Sequence, residues 1–148
     1  MIVAILALAG IFVALYLLLY KLGMIGALSC AVGSCETVNS SRWAKFMGLP
    51  VAGWGVGYYI AMFVLAMVSL REEFADSRTV SAVLLAVAAT GLIFSAWLTY
   101  LELFRIHAIC MWCVISAIIV TLIFFVCVAD YRGTLQESAS LDSLPDNG

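Results

Sequence analysis

The sequence predicts an all-α integral membrane protein: a four-transmembrane-helix bundle with a cysteine-bearing extracytoplasmic loop and a short interfacial helix between the first two spans. Two observations carry that prediction. The 148-residue chain is 66% hydrophobic and only 11% charged, with a mean hydropathy of +1.15, which leaves too little polar surface for a soluble domain. Its charges also cluster, so that Met1–Tyr20, Phe46–Leu70, Thr79–Leu101 and Ala108–Ala129 carry none. Each stretch is close to the ~20 residues that cross a ~30 Å hydrocarbon core as a helix. The net charge of −2, with no basic block, excludes nucleic-acid binding on electrostatic grounds.

The first span, residues 1–20, lacks the charged n-region of a signal peptide and outruns a cleavable h-region. Ala27-Leu28-Ser29-Cys30 faintly resembles a lipoprotein cleavage site, but its leucine is misplaced and that reading is set aside. The connection from Lys21 to Lys45 is the long one. It holds Cys30 and Cys35, then Asn39-Ser40-Ser41-Arg42-Trp43, where Asn and Ser can cap a short helix that Trp43 and Phe46 lay on the interface. Gly48-Leu49-Pro50 turns the chain into the second span, about 49–70, with proline where a first helical turn tolerates it. Gly53 and Gly57 form a small-xxx-small pair around Gly55, read as a site of close helix packing.

Arg71 to Arg78 reads as a charged, solvent-exposed hairpin leading to the third span, 79–101. Glu102 to His107 is shorter still, which makes the third and fourth spans antiparallel neighbours; the fourth covers 108–129. Residues 1–130 thus form one membrane domain. The polar remainder, 131–148, rich in Ser and Asp and containing Pro145, is expected to be a mobile cytoplasmic tail.

Chemistry gathers on Cys110-Met111-Trp112-Cys113. Positions i and i+3 share a helix face, so the two sulfurs can pair. At a helix N-terminus the unsatisfied N–H groups and the macrodipole favour a thiolate. With four spans, parity puts the long loop and the third connection on one side, so Cys30 and Cys35 face Cys110 and Cys113. A mobile pair opposite a fixed pair suits a disulfide relay. The same four sulfurs are also a reasonable set for a thiolate metal site, and a purely structural pair of staples is a third possibility. Cys127, roughly 21 Å further along the helix, reads as a buried structural thiol.

Positive charge does not choose a side, because Lys21, Arg42, Lys45 and Arg105 flank the cysteines while Arg71, Arg78 and Arg132 flank the other face. Redox chemistry does: disulfides persist outside the cytosol, which puts the cysteine loops extracytoplasmic and both termini in the cytoplasm. The cysteine face is thus periplasmic, extracellular or lumenal.

Taken together, Cys30 and Cys35, Ser40-Ser41-Arg42-Trp43, Gly48-Leu49-Pro50 with Gly57-Tyr58, and Tyr100-Leu101-Glu102-Leu103-Phe104 leading into Cys110-Met111-Trp112-Cys113 resemble the vitamin K epoxide reductase family, most of all its bacterial homologues. The resemblance runs from the first span to about Ala129. It implies a four-helix bundle enclosing a quinone (ubiquinone, menaquinone or a vitamin K-like one), with no metal. Electrons would pass from a thioredoxin-like or DsbA-like partner through Cys30 and Cys35 to Cys110 and Cys113, and on to the quinone. By position Cys30 would meet the partner, Cys35 would attack Cys110, and Cys113 would face the quinone. Ser41 and Trp43 would help form the pocket lid, and Leu98 and Trp112 would line the pocket.

Two departures shape the expectation. Many bacterial relatives carry a fused thioredoxin-like domain where this chain has a polar tail, so the partner is expected to be a separate protein. Animal members place a tyrosine four residues after the second CxxC cysteine, where this chain has Ala117, so epoxide reduction does not transfer. The resulting expectation is a quinone-dependent thiol oxidase driving disulfide formation in exported proteins. A four-cysteine metal-binding membrane protein and a DsbB-like quinone oxidase, whose CxxC lies in the first external loop, are the alternatives. Glu102 reads first as an interface residue paired with Arg105 at i+3, and second as part of a proton path. His107 reads as an interface histidine, and Trp54 and Trp97 as belt or core residues.

Overall fold

The structure is a computed structural model that describes every residue except Leu28, Val32, Glu72, Glu73, Ala75, Asp76 and 143–148. The leucine of the lipoprotein-like motif, the centre of the charged hairpin and Pro145 therefore lie outside the described residues. Four helices are long and apolar enough to cross a membrane: Ile2–Lys21, Val51–Ser69, Arg78–Ile106 and Met111–Ser140. They match the four expected spans to within a few residues at most ends. We name the elements α1 (Ile2–Lys21), α2 (Cys35–Ser40), β1 (Lys45–Phe46), β2 (Leu49–Pro50), α3 (Val51–Ser69), α4 (Arg78–Leu101) and α5 (Met111–Asp142).

The spanning helices close into a ring, α1 against α3 and α5, and α4 against α3 and α5. Small residues let the backbones approach. The fully buried centre combines Ala7 and Ala88 with Tyr59, Met62 and Ile123. Ile5, Phe12, Ile93, Ile118 and Phe125 are exposed on the outside, as a lipid-facing surface requires. The close approaches are not at the expected glycine pair. Gly57 faces open space, and a Cβ on Gly55, between the pair, would make only ordinary contact with Ala14 Cβ at 3.5 Å. Gly10 and Gly91 are the tight positions, because a Cβ there would overlap the rings of Tyr59 and Tyr58 respectively. Tyr59 in turn ties α3 to α5, its hydroxyl donating to the Ser116 carbonyl at 3.0 Å.

At one end of the bundle Ser81 donates to Asp130 at 2.7 Å, joining α4 to α5, and Cys127 is buried in the core. Beyond Ala129 the fourth span does not stop where its apolar run stops. The helix continues to Asp142. No proline interrupts it before that point, and Thr134 and Ser138 turn their hydroxyls onto the carbonyls of Tyr131 and Thr134, at 2.8 Å each.

At the other end lies the long connection. Its short helix is α2, which begins at Cys35, upstream of the expected place. Asn39, Ser40 and Ser41 finish this helix where they were expected to start one: Ser40 Oγ donates to the Glu36 carbonyl (2.6 Å) and Ser41 Oγ to that of Val38 (2.7 Å). A 3-10 turn, Arg42–Ala44, carries Trp43. The hairpin β1–β2 follows, pairing Lys45 with Pro50 and Phe46 with Leu49. Met47 and Gly48 both have positive φ, 51° and 84°, the conformation a two-residue hairpin turn of the primed kind needs. Pro50 caps α3.

Candidate redox site

The cysteine loop is docked on the start of α5 by backbone. Gly33 pairs with Cys110 as an isolated antiparallel bridge, and the Ser34 N–H donates to the Ile109 carbonyl at 2.9 Å. Gly33 has φ +91°, and a Cβ on it would run into the Ile109 carbonyl oxygen. Only glycine meets both conditions. Two aromatic residues hold the preceding segment: the Trp112 indole donates to the Ser29 carbonyl (3.0 Å), the Ser29 N–H donates to the Tyr16 hydroxyl (3.0 Å), and the two rings pack with centroids 5.0 Å apart. Behind the loop, Asn39 donates to the Leu17 carbonyl at 3.3 Å while its own carbonyl accepts from the Lys21 ammonium, fixing α2 to the end of α1.

This docking brings together the four predicted cysteines. Cys30 and Cys35 form a disulfide across a Cα–Cα separation of 6.4 Å, and Cys110 and Cys113 are free thiols. Cys35 and Cys110, 1% and 0% exposed, sit in one buried cluster with Leu17 and Val38, against which Cys30 and Cys113 also pack. Cys110 precedes the first turn of α5 and its carbonyl accepts from Val114 N–H at 3.0 Å. Its thiol is held below the ordinary thiol range, chiefly because the Cys113 thiol donates to it, with the backbone N–H groups of Cys113 and Trp112 adding to the effect. Burial and the Glu102 carboxylate oppose the shift.

Glu102 is placed differently from its expected role. It is 7% exposed, and among the described residues it makes no ion pair with Arg105. The cause is the turn that follows α4. Residues Glu102–Ile106 form a π turn, closed by His107 in the left-handed region (φ 54°, ψ 32°), whose N–H bonds the Glu102 carbonyl. The wider turn carries the glutamate inward and leaves Arg105 outside. The carboxylate accepts the Cys110 N–H at 3.4 Å. Arg105 instead lies over the Trp43 ring at 5.9 Å, and Arg42 also lies over that ring, at 5.2 Å. His107 itself is exposed.

Cys113 opens onto a largely apolar cavity of about 360 Å³ within the bundle. Of the four residues expected around a quinone, Trp43 and Leu98 line it. Ser41 and Trp112 do not. The Ser41 hydroxyl is turned onto the Val38 carbonyl, and Trp112 faces the loop that holds the disulfide, one position and about 100° of helix away from Cys113. The cavity wall includes Glu102, which the sequence offered second as part of a proton path, and adds two polar residues that reading the chain missed as cavity groups, Asn39 and Tyr58. Tyr58 Oη is buried with no hydrogen-bond partner among the described residues. Asn39 was visible only as a helix-capping residue, and Tyr58 only as part of a motif.

The four-sulfur metal alternative meets a different arrangement, since two of its ligands are bonded to each other, and among the described residues no group of three His, Cys, Asp or Glu side chains is arranged to hold a metal ion. Residues 1–128 match the family described as the vitamin K epoxide reductase family.

Proposed function

The chain belongs to the vitamin K epoxide reductase family, and from that premise we propose that it is a quinone-dependent thiol oxidase that drives disulfide formation in exported proteins. Electrons enter from a separate thioredoxin-like partner at Cys30 and Cys35, pass to Cys110 and Cys113, and leave to a membrane quinone. The cysteine loop faces the extracytoplasmic side of a bacterial inner membrane, with both termini cytoplasmic. The observation that carries the reading is the shared burial of Cys35 with Cys110 while Cys113, one turn on, opens into an apolar cavity. Disulfide, dithiol and cavity stand in series.

The cavity suits a quinone ring. Trp43, Leu98 and Phe94 supply apolar walls, while the unpaired Tyr58 hydroxyl and the Asn39 amide are donors of the kind that quinone oxygens accept. A bound quinone supplies a two-electron acceptor beside Cys113. The protein's own part lies in thiol exchange. Cys35 attacks Cys110 and breaks the Cys110–Cys113 bond, releasing Cys113, which takes up a proton; Cys30 then attacks Cys35, and Cys110 departs as a thiolate that the Cys113 thiol and the first N–H groups of α5 stabilise. A low leaving-group pKa speeds that departure.

The test is quinone reduction by protein purified in detergent, given a reduced thioredoxin-like protein and a soluble quinone analogue, alongside Cys113→Ala. Turnover lost in the variant supports the relay and its terminal cysteine. Absence of turnover with several quinones, together with tightly bound zinc, would move the assignment to the metal site.

A further inference from the structure

We propose that Glu102 is a catalytic proton carrier for the inner cysteine pair. It accepts the Cys113 proton as the Cys110–Cys113 bond forms and delivers it to an acceptor in the cavity. This inference rests on the quinone reading above. Its grounds are geometric. A carboxyl group buried to 7% exposure is costly unless it is paired, yet among the described residues no cation pairs with Glu102. It accepts the Cys110 N–H, and it lines the cavity together with Cys113, the other member of the reacting pair. The π turn at Glu102–Ile106 produces this placement, and such turns in otherwise α-helical segments occur frequently at functional sites. The other titratable groups on the wall, Tyr58 and Tyr59, belong to α3, and Tyr59 is bonded to Ser116. That leaves Glu102 as the carboxyl group that shares the cavity wall with the reacting Cys113.

The step balances as follows. Cys110 and Cys113 together lose two electrons and two protons as their S–S bond forms, and a quinone gains both to become the hydroquinone. Glu102 takes the Cys113 proton and gives it to a quinone oxygen, returning to its starting state. The second proton, released when the Cys110 thiolate forms, is balanced by one taken up from the aqueous side. Without a carrier the Cys113 proton has to leave through an apolar cavity with few other polar groups.

Glu102→Gln tests the role, because glutamine keeps the size and can still accept the Cys110 N–H but cannot carry a proton. The first readout needs no quinone. In quinone-free protein poised between reduced and oxidised dithiothreitol, infrared difference spectra of the wild type should show a carboxyl C=O band that changes with the state of the Cys110–Cys113 pair and is missing in Glu102→Gln. The second is single-turnover oxidation of the reduced pair by a soluble quinone analogue, expected to slow on the order of 100-fold in Glu102→Gln and to recover substantially in Glu102→Asp. Exchange between a reduced thioredoxin-like protein and the Cys30–Cys35 disulfide, which reports a correctly docked loop, should be unchanged. A wild type that shows no carboxyl change, or a Glu102→Gln protein that is oxidised at the wild-type rate, overturns the role of Glu102 while leaving the relay intact. A wild type that reduces no quinone overturns the proposed function itself.

Discussion

The backbone of Gly33 is paired with that of Cys110, so the loop that carries the Cys30–Cys35 disulfide is attached to the chain at the first cysteine of the Cys110–Cys113 pair. The bridge needs a glycine twice over, for its φ of +91° and for the space that the Ile109 carbonyl occupies. Gly33→Ala should therefore undock the loop. The left-handed backbone alone costs a non-glycine residue roughly 1–2 kcal/mol, and 1.4 kcal/mol is tenfold in a population. Transfer from the Cys30–Cys35 pair to Cys110, followed by rapid quench and alkylation, should slow about tenfold or more. Reduction of quinone by a small dithiol acting directly on Cys110–Cys113 should persist. Equal loss of both rates would mean that the substitution damages the bundle and not the docking.

Cys35 and Cys110 are buried in one cluster, and the proposed order of exchange runs through that pair. Cys113→Ala should accumulate the Cys35–Cys110 mixed disulfide, because Cys110 has lost its inner disulfide partner and the thiol that stabilises it as the departing thiolate when Cys30 attacks Cys35. Cys35→Ala should instead leave reduced partner protein unreacted. Non-reducing gels with mass-spectrometric mapping of the trapped peptides decide this. A Cys113→Ala protein with no mixed disulfide, or one joined through Cys30, would reverse the assigned roles of the loop cysteines.

Because Cys110 is held below the ordinary thiol range by a hydrogen bond from Cys113, its reactivity has a definite pH signature. Between the lowered pKa and the usual one Cys110 is already thiolate, so its alkylation in reduced protein should remain fast there and fall only when the pH drops below the lowered value. Cys113→Ala removes the main stabilising donor, which should move the profile to higher pH. Cys110 alkylation by iodoacetamide, quantified by mass spectrometry from acid to alkaline pH, measures both. A profile that does not move in Cys113→Ala would transfer the stabilisation to the helix N–H groups alone.

The spans were legible in the sequence because a hydrocarbon core excludes charge and fixes helix length, two constraints that act residue by residue. The four cysteines were legible for a related reason: parity alone brings the two pairs to one side. What stayed hidden depended on rotation about a helix axis. Glu102 and Arg105 share a face under α-helical geometry, and the π turn separates them, burying one and leaving the other against Trp43. Trp112 neighbours Cys113 in the chain yet faces the opposite task, holding the loop at Ser29. Ser41 is two residues from Trp43 but spends its hydroxyl on the Val38 carbonyl, while Asn39 reaches the cavity. A backbone turn in the first case and a side-chain bond to a main-chain carbonyl in the other two, not composition, decide which side chain meets the cavity.

Tyr58 gives a prediction in which stability and binding move in opposite directions. Its ring packs against Gly91 and its hydroxyl is buried without a partner among the described residues. An unpaired buried hydroxyl costs free energy, and removing it should raise the thermal midpoint of quinone-free Tyr58→Phe protein. If the hydroxyl is the donor that a quinone oxygen accepts, the same change should weaken quinone binding by about 1 kcal/mol, or about fivefold in KM. Thermal unfolding with and without a quinone analogue reads both effects, and the stabilisation conferred by the analogue should shrink in the variant. A midpoint that rises with KM unchanged would place the quinone elsewhere on the cavity wall, nearer Asn39 and Trp43. A midpoint that falls would mean that the hydroxyl is satisfied by water, since only a paired group is missed when it is removed.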